Sequence, residues 1–275
     1  DAVTCGVLRT PTTQLSKGNG TMNDVLPQLV EMTRYLADPD KGFAILGEGN
    51  TSARLDDDTF YVKASGTSMV DIDANGFVKV SISKVTALLD DLDAGDDEVQ
   101  EAFQDAMIDA PEGKRPSVEA ILHAILLQVP EFTFIGHTHP TYTNMILCSK
   151  NCEEAVNGRL FPDQIVSMKH KSVYVPYTVP GLPLAREVKK RFEAFIDENE
   201  VLPSVIMMQN HGLIVMGNSP RAVASATEMT EKSSRVIVGA YAMGGPNFLS
   251  PKDVSRIFTR PDEAYRLKSI TGNQQ

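Results

Sequence analysis

Positive charge is in short supply in this chain: 26 Lys and Arg stand against 36 Asp and Glu, a formal net charge of -10. Nucleic acids and anionic membranes attract the opposite field, so both are excluded as partners. Long apolar runs are missing as well, none reaching the roughly 18–20 residues needed to span a bilayer. Cysteine is scarce. Three thiols, Cys5, Cys148 and Cys152, do not make a disulfide framework in a chain of this length, and a reducing cytoplasm is the expected compartment. Cys148 and Cys152 are spaced for one helix and read as small buried thiols rather than as a second metal site. Neither a G-x-x-x-x-G-K-[ST] loop nor a G-x-G-x-x-G fingerprint occurs. No internal repeat and no linker long enough to split the chain is visible.

What is there suffices for a large core: 42% of the 275 residues are apolar. Residues 1–22 have no periodicity and no apolar centre of the kind a signal peptide needs. The first residue is Asp rather than Met, and this stretch reads as a disordered or appended extension outside the fold. Residues 23–275 read as one domain. Asn23 or Asp24 can cap a helix through Leu36, with Val25, Leu29, Met32 and Leu36 on one face. Segments 43–46, 51–55, 60–64 and 77–80 read as short strands. Ser83 opens a helix over Val85, Leu88, Leu89 and Leu92, and the acidic run 90–98 reads as solvated surface. Helices are expected over 142–148, 184–198 and 220–242, strands over 173–175, 204–209 and 213–216, and a helical tail over 251–268. The fold class is α/β, with a mostly antiparallel central sheet between helical layers.

The stretch from Arg115 to Pro140 organises the rest. Pro116 and Ser117 can start a helix whose apolar face is Ala120, Ile121, Ala124, Ile125 and Leu127. Pro130 stops it, and Phe132, Phe134 and Ile135 lead a buried strand into His137-Thr138-His139. Residues two apart on a strand share a face, so His137 and His139 offer two imidazoles side by side. His211 sits in the tight Asn210-His211-Gly212 turn between two apolar strands, where Gly212 lets the backbone bend. Three imidazoles with an open fourth position are the donor set of a catalytic zinc site. His123 follows Glu119 by one helical turn and reads as orienting a ligand or filling the core rather than ligating. His170, between two lysines, reads as exposed.

Glu119 has two readings: a first-turn carboxylate favoured by the helix dipole, or, beside a cation, a general acid/base. Two small polar turns could hold an anion, Gly47 to Ser52 and Ala64 to Ser68, through backbone N–H groups and hydroxyls. With Ser117 at a helix N-terminus they could form one phosphate-sized pocket.

In order and spacing, Asn50-Thr51-Ser52, Ser65-Gly66-Thr67, Pro116-Ser117-Val118-Glu119, His137-Thr138-His139 and Asn210-His211-Gly212 resemble the class II aldolase/adducin family, over roughly residues 23 to 245. The resemblance implies a three-layer α/β/α sandwich, a homotetramer with sites at subunit boundaries, and zinc held by His137, His139 and His211. It makes Glu119 the acid/base, and Asn50, Thr51, Ser65, Gly66, Thr67 and Ser117 the substrate and phosphate contacts. Val118 stands where many fuculose-phosphate aldolases carry a second serine, which removes one phosphate-binding hydroxyl. The family's catalytic tyrosine has three candidates here: Tyr142, Tyr177 and Tyr241. The implied reaction is cleavage of a ketose, with or without phosphate, to dihydroxyacetone phosphate and an aldehyde through an enediolate. Decarboxylases, 4-epimerases and dehydratases on the same scaffold would share that enolate chemistry. A non-catalytic adducin-like head would be expected to lack the ligands that this chain retains.

Overall fold

The computed structural model describes residues 25–90, 95–263 and 265. Along the chain run helix α1 (Val25–Leu36), strands β1 (Asn50–Arg54), β2 (Thr59–Lys63) and β3 (Phe77–Ser81), helices α2 (Ile82–Ala87) and α3 (Asp96–Ala106), and strand β4 (Met107–Asp109). Helix α4 (Ala120–Leu127), strand β5 (Phe134–Thr138), helices α5 (Thr141–Leu147), α6 (Cys152–Asn157) and α7 (Pro162–Met168) and strand β6 (Val173–Val175) follow. Helix α8 (Leu182–Asn199), strands β7 (Val205–Met208) and β8 (Gly212–Gly217), and helices α9 (Pro220–Tyr241) and α10 (Pro251–Phe258) complete it.

The eight strands form one sheet in the order β4-β3-β2-β1-β5-β8-β7-β6. Every pairing is antiparallel except β6 with β7. Most of the strands are buried on both faces because helices cover both, although β1, Asn-Thr-Ser-Ala-Arg, is largely polar. On one face Phe60, Val62, Ile135 and Ile214 meet Val85, Phe103, Ile121, Leu122 and Phe192, from α2, α3, α4 and α8. On the other, Ala53, Phe134, Leu213 and Val215 meet Leu29, Met32 and Leu36 of α1 and Val223 of α9. This is the α/β/α sandwich with a mostly antiparallel sheet. No helix among the described residues is long and apolar enough to cross a membrane.

The apolar face read for α1 is the buried one; its proposed caps, Asn23 and Asp24, lie outside the described residues, as do residues 1–22, Cys5, Leu92 and the end of the expected tail. Three local expectations are corrected. Residues 43–46 are not a strand: Leu46 takes φ 53° and is 91% exposed, so the chain turns instead of pairing. Helix α2 is capped by Ser81, whose Oγ accepts from Lys84 N, while Ser83 N–H is held by Asp58. The described residues of the acidic run, Asp90, Gly95, Asp97 and Glu98, are exposed, as expected for solvated surface, and the run leads into α3, a helix not read from the sequence. Val99, Phe103 and Ala106 bury one side of α3, a spacing that signals a helix despite the charge around it. Cys148 and Cys152 lie on either side of a helix break, the first exposed and the second buried.

Arg159 is the largest fully buried side chain among the described residues. Its guanidinium donates to the carbonyls of Lys169, Val156 and Gly158 and to Ser172 Oγ, at 2.9–3.1 Å. It thereby ties the end of α6 to the exit of α7 and the entry of β6. Arg159→Leu removes the guanidinium donor from the buried Val156 carbonyl and from the part-buried Lys169 carbonyl, at roughly 1–3 kcal/mol each. Destabilisation of about 3 kcal/mol or more is expected in urea unfolding; an unchanged midpoint would show that the hub carries no weight.

Candidate functional site

Strand parity decides which side chains can meet. Across β1 and β5, Asn50 pairs with His137 and Ser52 with Ile135, so these four share the face that α4 covers. Thr51 must point the other way. Its hydroxyl is buried against Thr33 of α1 at 2.6 Å, which corrects its side chain's expected place among the substrate contacts. Glu119 stands at the N-terminal boundary of α4, directly over Asn50 and His137. Helix α4 starts at Ala120 rather than at Pro116, because Pro116 bridges to Ala64. Ser117 still caps locally, its Oγ accepting from Glu119 N at 3.3 Å.

The three histidines converge. Their ring centroids lie 4.8–5.3 Å apart with interplanar angles of 65–88°, and one nitrogen from each falls within 4.8 Å of the others. His137 Nδ1 lies 3.0 Å from Leu213 O. A carbonyl only accepts, so Nδ1 carries the proton and Nε2 presents a bare lone pair to its neighbours. That Nε2 is 3.1 Å from His139 Nε2. Bonds of about 2.0–2.1 Å to zinc hold ligand nitrogens about 3.4 Å apart in a tetrahedron, so these residues fit a divalent cation with nitrogen preference. Gly212 serves this closeness rather than the turn. A Cβ there would lie 2.6 Å from His139 Cδ2 and 2.7 Å from Thr138 O, and the left-handed residue of the turn is Asn210, at φ 54°. Glu231 of α9 secures the exit, accepting from Tyr142 N, Thr143 N and Thr143 Oγ1 at the start of α5.

Glu119 faces this cage. His211 Nε2 is 3.2 Å from Oε1, His137 Nε2 is 3.7 Å from Oε2, and Asn50 Nδ2 donates to Oε2 at 2.7 Å. Burial pushes the carboxyl up, but the His137 and His211 imidazoles and the Asn50 amide outweigh it and hold Glu119 below the usual carboxylate range. His123 is not in the cage; it lies behind Asn50, bonded to it and to Ser52. Glu48, which sequence reasoning passed over, brings a carboxylate to 3.8 Å from His139 Nδ1.

The turn from Ala64 to Thr67 does lie beside Ser117, drawn there by the Ala64–Pro116 bridge. Two of its N–H groups are engaged internally: Ser65 N donates to Arg115 O and Thr67 N to Ala64 O. Ser65 and Gly66 are exposed, Gly66 with φ 71°. The charge comes from residues not singled out in the sequence. Buried Lys63 donates to Thr67 O at 2.8 Å, and Lys114 to Thr67 Oγ1 at 3.1 Å. Asn50 is farther into the fold than a loop contact would be, as the first residue of β1 and 3% exposed. His170 is half-buried rather than exposed, its ring 4.6 Å from Phe258. Tyr142 is stacked under Arg235, while Tyr177 and Tyr241 are exposed.

Burial lowers the pKa of His137, and burial with the adjacent imidazoles pushes His139 down to about 4. Protonated imidazole cannot ligate, and lowering these values moves the competition to more acidic pH. Metal release should therefore come at a lower pH than it would for histidines of ordinary pKa, near 6.5. Bound metal measured after equilibration between pH 4 and 7 checks this; half-release at pH 6.5 or above would contradict it.

A model of the class II aldolase and adducin N-terminal domain family matches residues 27–238. The chain belongs to that family. Among curated members, it is 27% identical over 199 residues to a 3-oxo-tetronate 4-phosphate decarboxylase of Haemophilus influenzae, covering 72% of this chain and 80% of that one. It is 24% identical over 212 residues to a methylthioribulose-1-phosphate dehydratase of Microcystis aeruginosa, covering 73% and 89%. In fold it matches an L-fuculose 1-phosphate aldolase from Glaciozyma antarctica at TM-score 0.61 and 16% identity, over 95% of this chain and 93% of that one. These class II relatives are lyases by name, acting on small phosphorylated compounds.

Proposed function

We propose that the protein is a zinc-dependent class II aldolase that cleaves a ketose, as its 1-phosphate, to dihydroxyacetone phosphate and an aldehyde through an enediolate. The observation that carries this is the meeting of His137, His139 and His211 with Glu119 at one point. Zinc held by the three imidazoles would supply a Lewis acid for the negative charge that develops on the substrate's oxygens. The other parts belong to the chain. Glu119 holds and moves the proton at the carbon that becomes the nucleophile in the reverse direction. His211 Nε2 cannot both ligate and donate to Oε1, so a filled cage leaves that oxygen for the substrate. Ser65, Gly66, Thr67 and Ser117 form the phosphate contact, with Lys63 and Lys114 adding positive charge behind the turn.

The same reading takes residues 23–275 as one catalytic domain in a cytoplasmic homotetramer. Exposed apolar residues close in sequence to the site, Ile45, Leu46 and Val118, together with exposed Tyr177, whose N–H donates to Gln209 two residues before His211, support a subunit boundary there. The free thiols of Cys148 and Cys152 support a reducing compartment.

A second reading is favoured by the curated relatives: decarboxylation of a phosphorylated 3-oxo acid, which generates an enediolate by losing carbon dioxide instead of an aldehyde. Incubating the zinc-loaded protein with a panel of ketose 1-phosphates and 3-oxo acid phosphates separates the two. Release of aldehyde supports the aldolase, release of carbon dioxide the decarboxylase, and no turnover on either panel sinks both.

A further inference from the structure

His123 lies outside the cage and is nonetheless fully engaged. Its ring is buried on α4, with Nδ1 2.6 Å from Ser52 Oγ and Nε2 bonded to Asn50 Oδ1. The protons along this row can be assigned one from the next. Asn50 Nδ2 donates to Glu119 Oε2 at 2.7 Å, so the end of the amide that faces the carboxylate is its NH2. The other end is then a carbonyl oxygen, which only accepts, so His123 Nε2 must carry the proton. Burial pushes His123 down to about 3, so the ring is neutral and its Nδ1 is an acceptor. The Ser52 hydroxyl therefore donates. Ser52 and Asn50 can both reach α4 because they sit two apart on β1 and share its face.

We propose that His123 is a positioning residue for Glu119: its Nε2–H locks the Asn50 amide with N–H toward Oε2, which commits that oxygen and leaves Oε1 to exchange protons with substrate. An unlocked amide could turn its carbonyl toward the carboxylate, setting two acceptors against each other in a buried site. The proposal rests on Glu119 being the acid/base group of the proposed reaction. The row of protons itself does not depend on turnover.

Two measurements test it on the full chain. In 15N-histidine NMR, His123 should report a neutral ring protonated on Nε2; an Nδ1–H tautomer would overturn the assignment, whatever the enzyme's activity. In zinc-loaded kinetics, His123→Leu should lower kcat roughly 10- to 100-fold with KM and zinc content near wild type. His123→Gln, whose amide can still donate to Asn50, should recover most of that loss. Wild-type kcat in the Leu variant, or a Gln variant as slow as Leu, would overturn the proposal. Should the Leu variant not fold, Ser52→Ala keeps the ring and removes only the donor to Nδ1. Mixed tautomers with a reduced kcat would then support the row, and mixed tautomers with unchanged kcat would refute it. Absence of turnover in the wild type would instead count against the proposed function, leaving the tautomer to the NMR.

Discussion

His137→Ala should strip the protein of its metal and, with it, of measurable turnover. Each of the other two histidines reaches the candidate cage from a more exposed position, whereas His137 is buried, anchored through Nδ1 to Leu213 O, and in contact with both His139 and Glu119. Removing it takes away one of three donors and leaves the Leu213 carbonyl without its partner. Outer partners of metal ligands cost 10- to 100-fold in affinity when lost, and loss of the ligand itself should exceed about 100-fold. Metal analysis after gel filtration, paired with turnover, reads this directly. Wild-type protein treated with a chelator should lose activity and regain it with zinc, whereas the variant should not regain it. A variant with full activity and no bound metal would refute the ligand assignment.

The candidate cage was legible in the sequence because its parts obey simple spacing: two histidines two apart on a strand, and a third in a turn between apolar strands. Most of the sheet was legible for the same reason, since its strands are short and separated by acidic or glycine-rich turns, but β4 was not legible and residues 43–46 read as a strand they do not form. What escaped was set by tertiary context. Thr51 reads as a neighbour of Asn50 in a polar turn, but once the segment is a strand, period-two alternation sends the hydroxyl to α1. Gly212 reads as a turn residue, whereas the space it leaves is needed by the His139 ring. Helix α3 was hidden by its acidic exterior, although Val99, Phe103 and Ala106 mark its inner side. Lys63 alternates as an ordinary strand residue, and nothing local predicts that its ammonium group ends beneath the Thr67 carbonyl. The tie between His123 and Asn50 needs the β1–α4 contact, which no one-dimensional spacing encodes.

Glu119→Gln separates the chemistry of the carboxylate from its place at the helix boundary. The side chain makes no capping bond to α4; its partners are Asn50, His137 and His211. The amide is nearly isosteric, keeps an acceptor for the Asn50 N–H, and carries no metal ligand away. Folding and zinc content should therefore stay near wild type. The amide cannot take up a proton, however, and kcat should fall by roughly 10²-fold or more, the usual contribution of a positioned acid/base group. KM should move little, because the phosphate contacts proposed around Ser65 and Ser117 are untouched. Wild-type rates in a zinc-loaded Glu119→Gln protein would return the residue to the first-turn dipole role that the sequence also allows, and the proton would have to be handled by another group. A large loss with metal and fold intact has no such reading, since what the amide lacks is the carboxylate's charge and, with it, the ability to hold and release a proton beside His137 and His211.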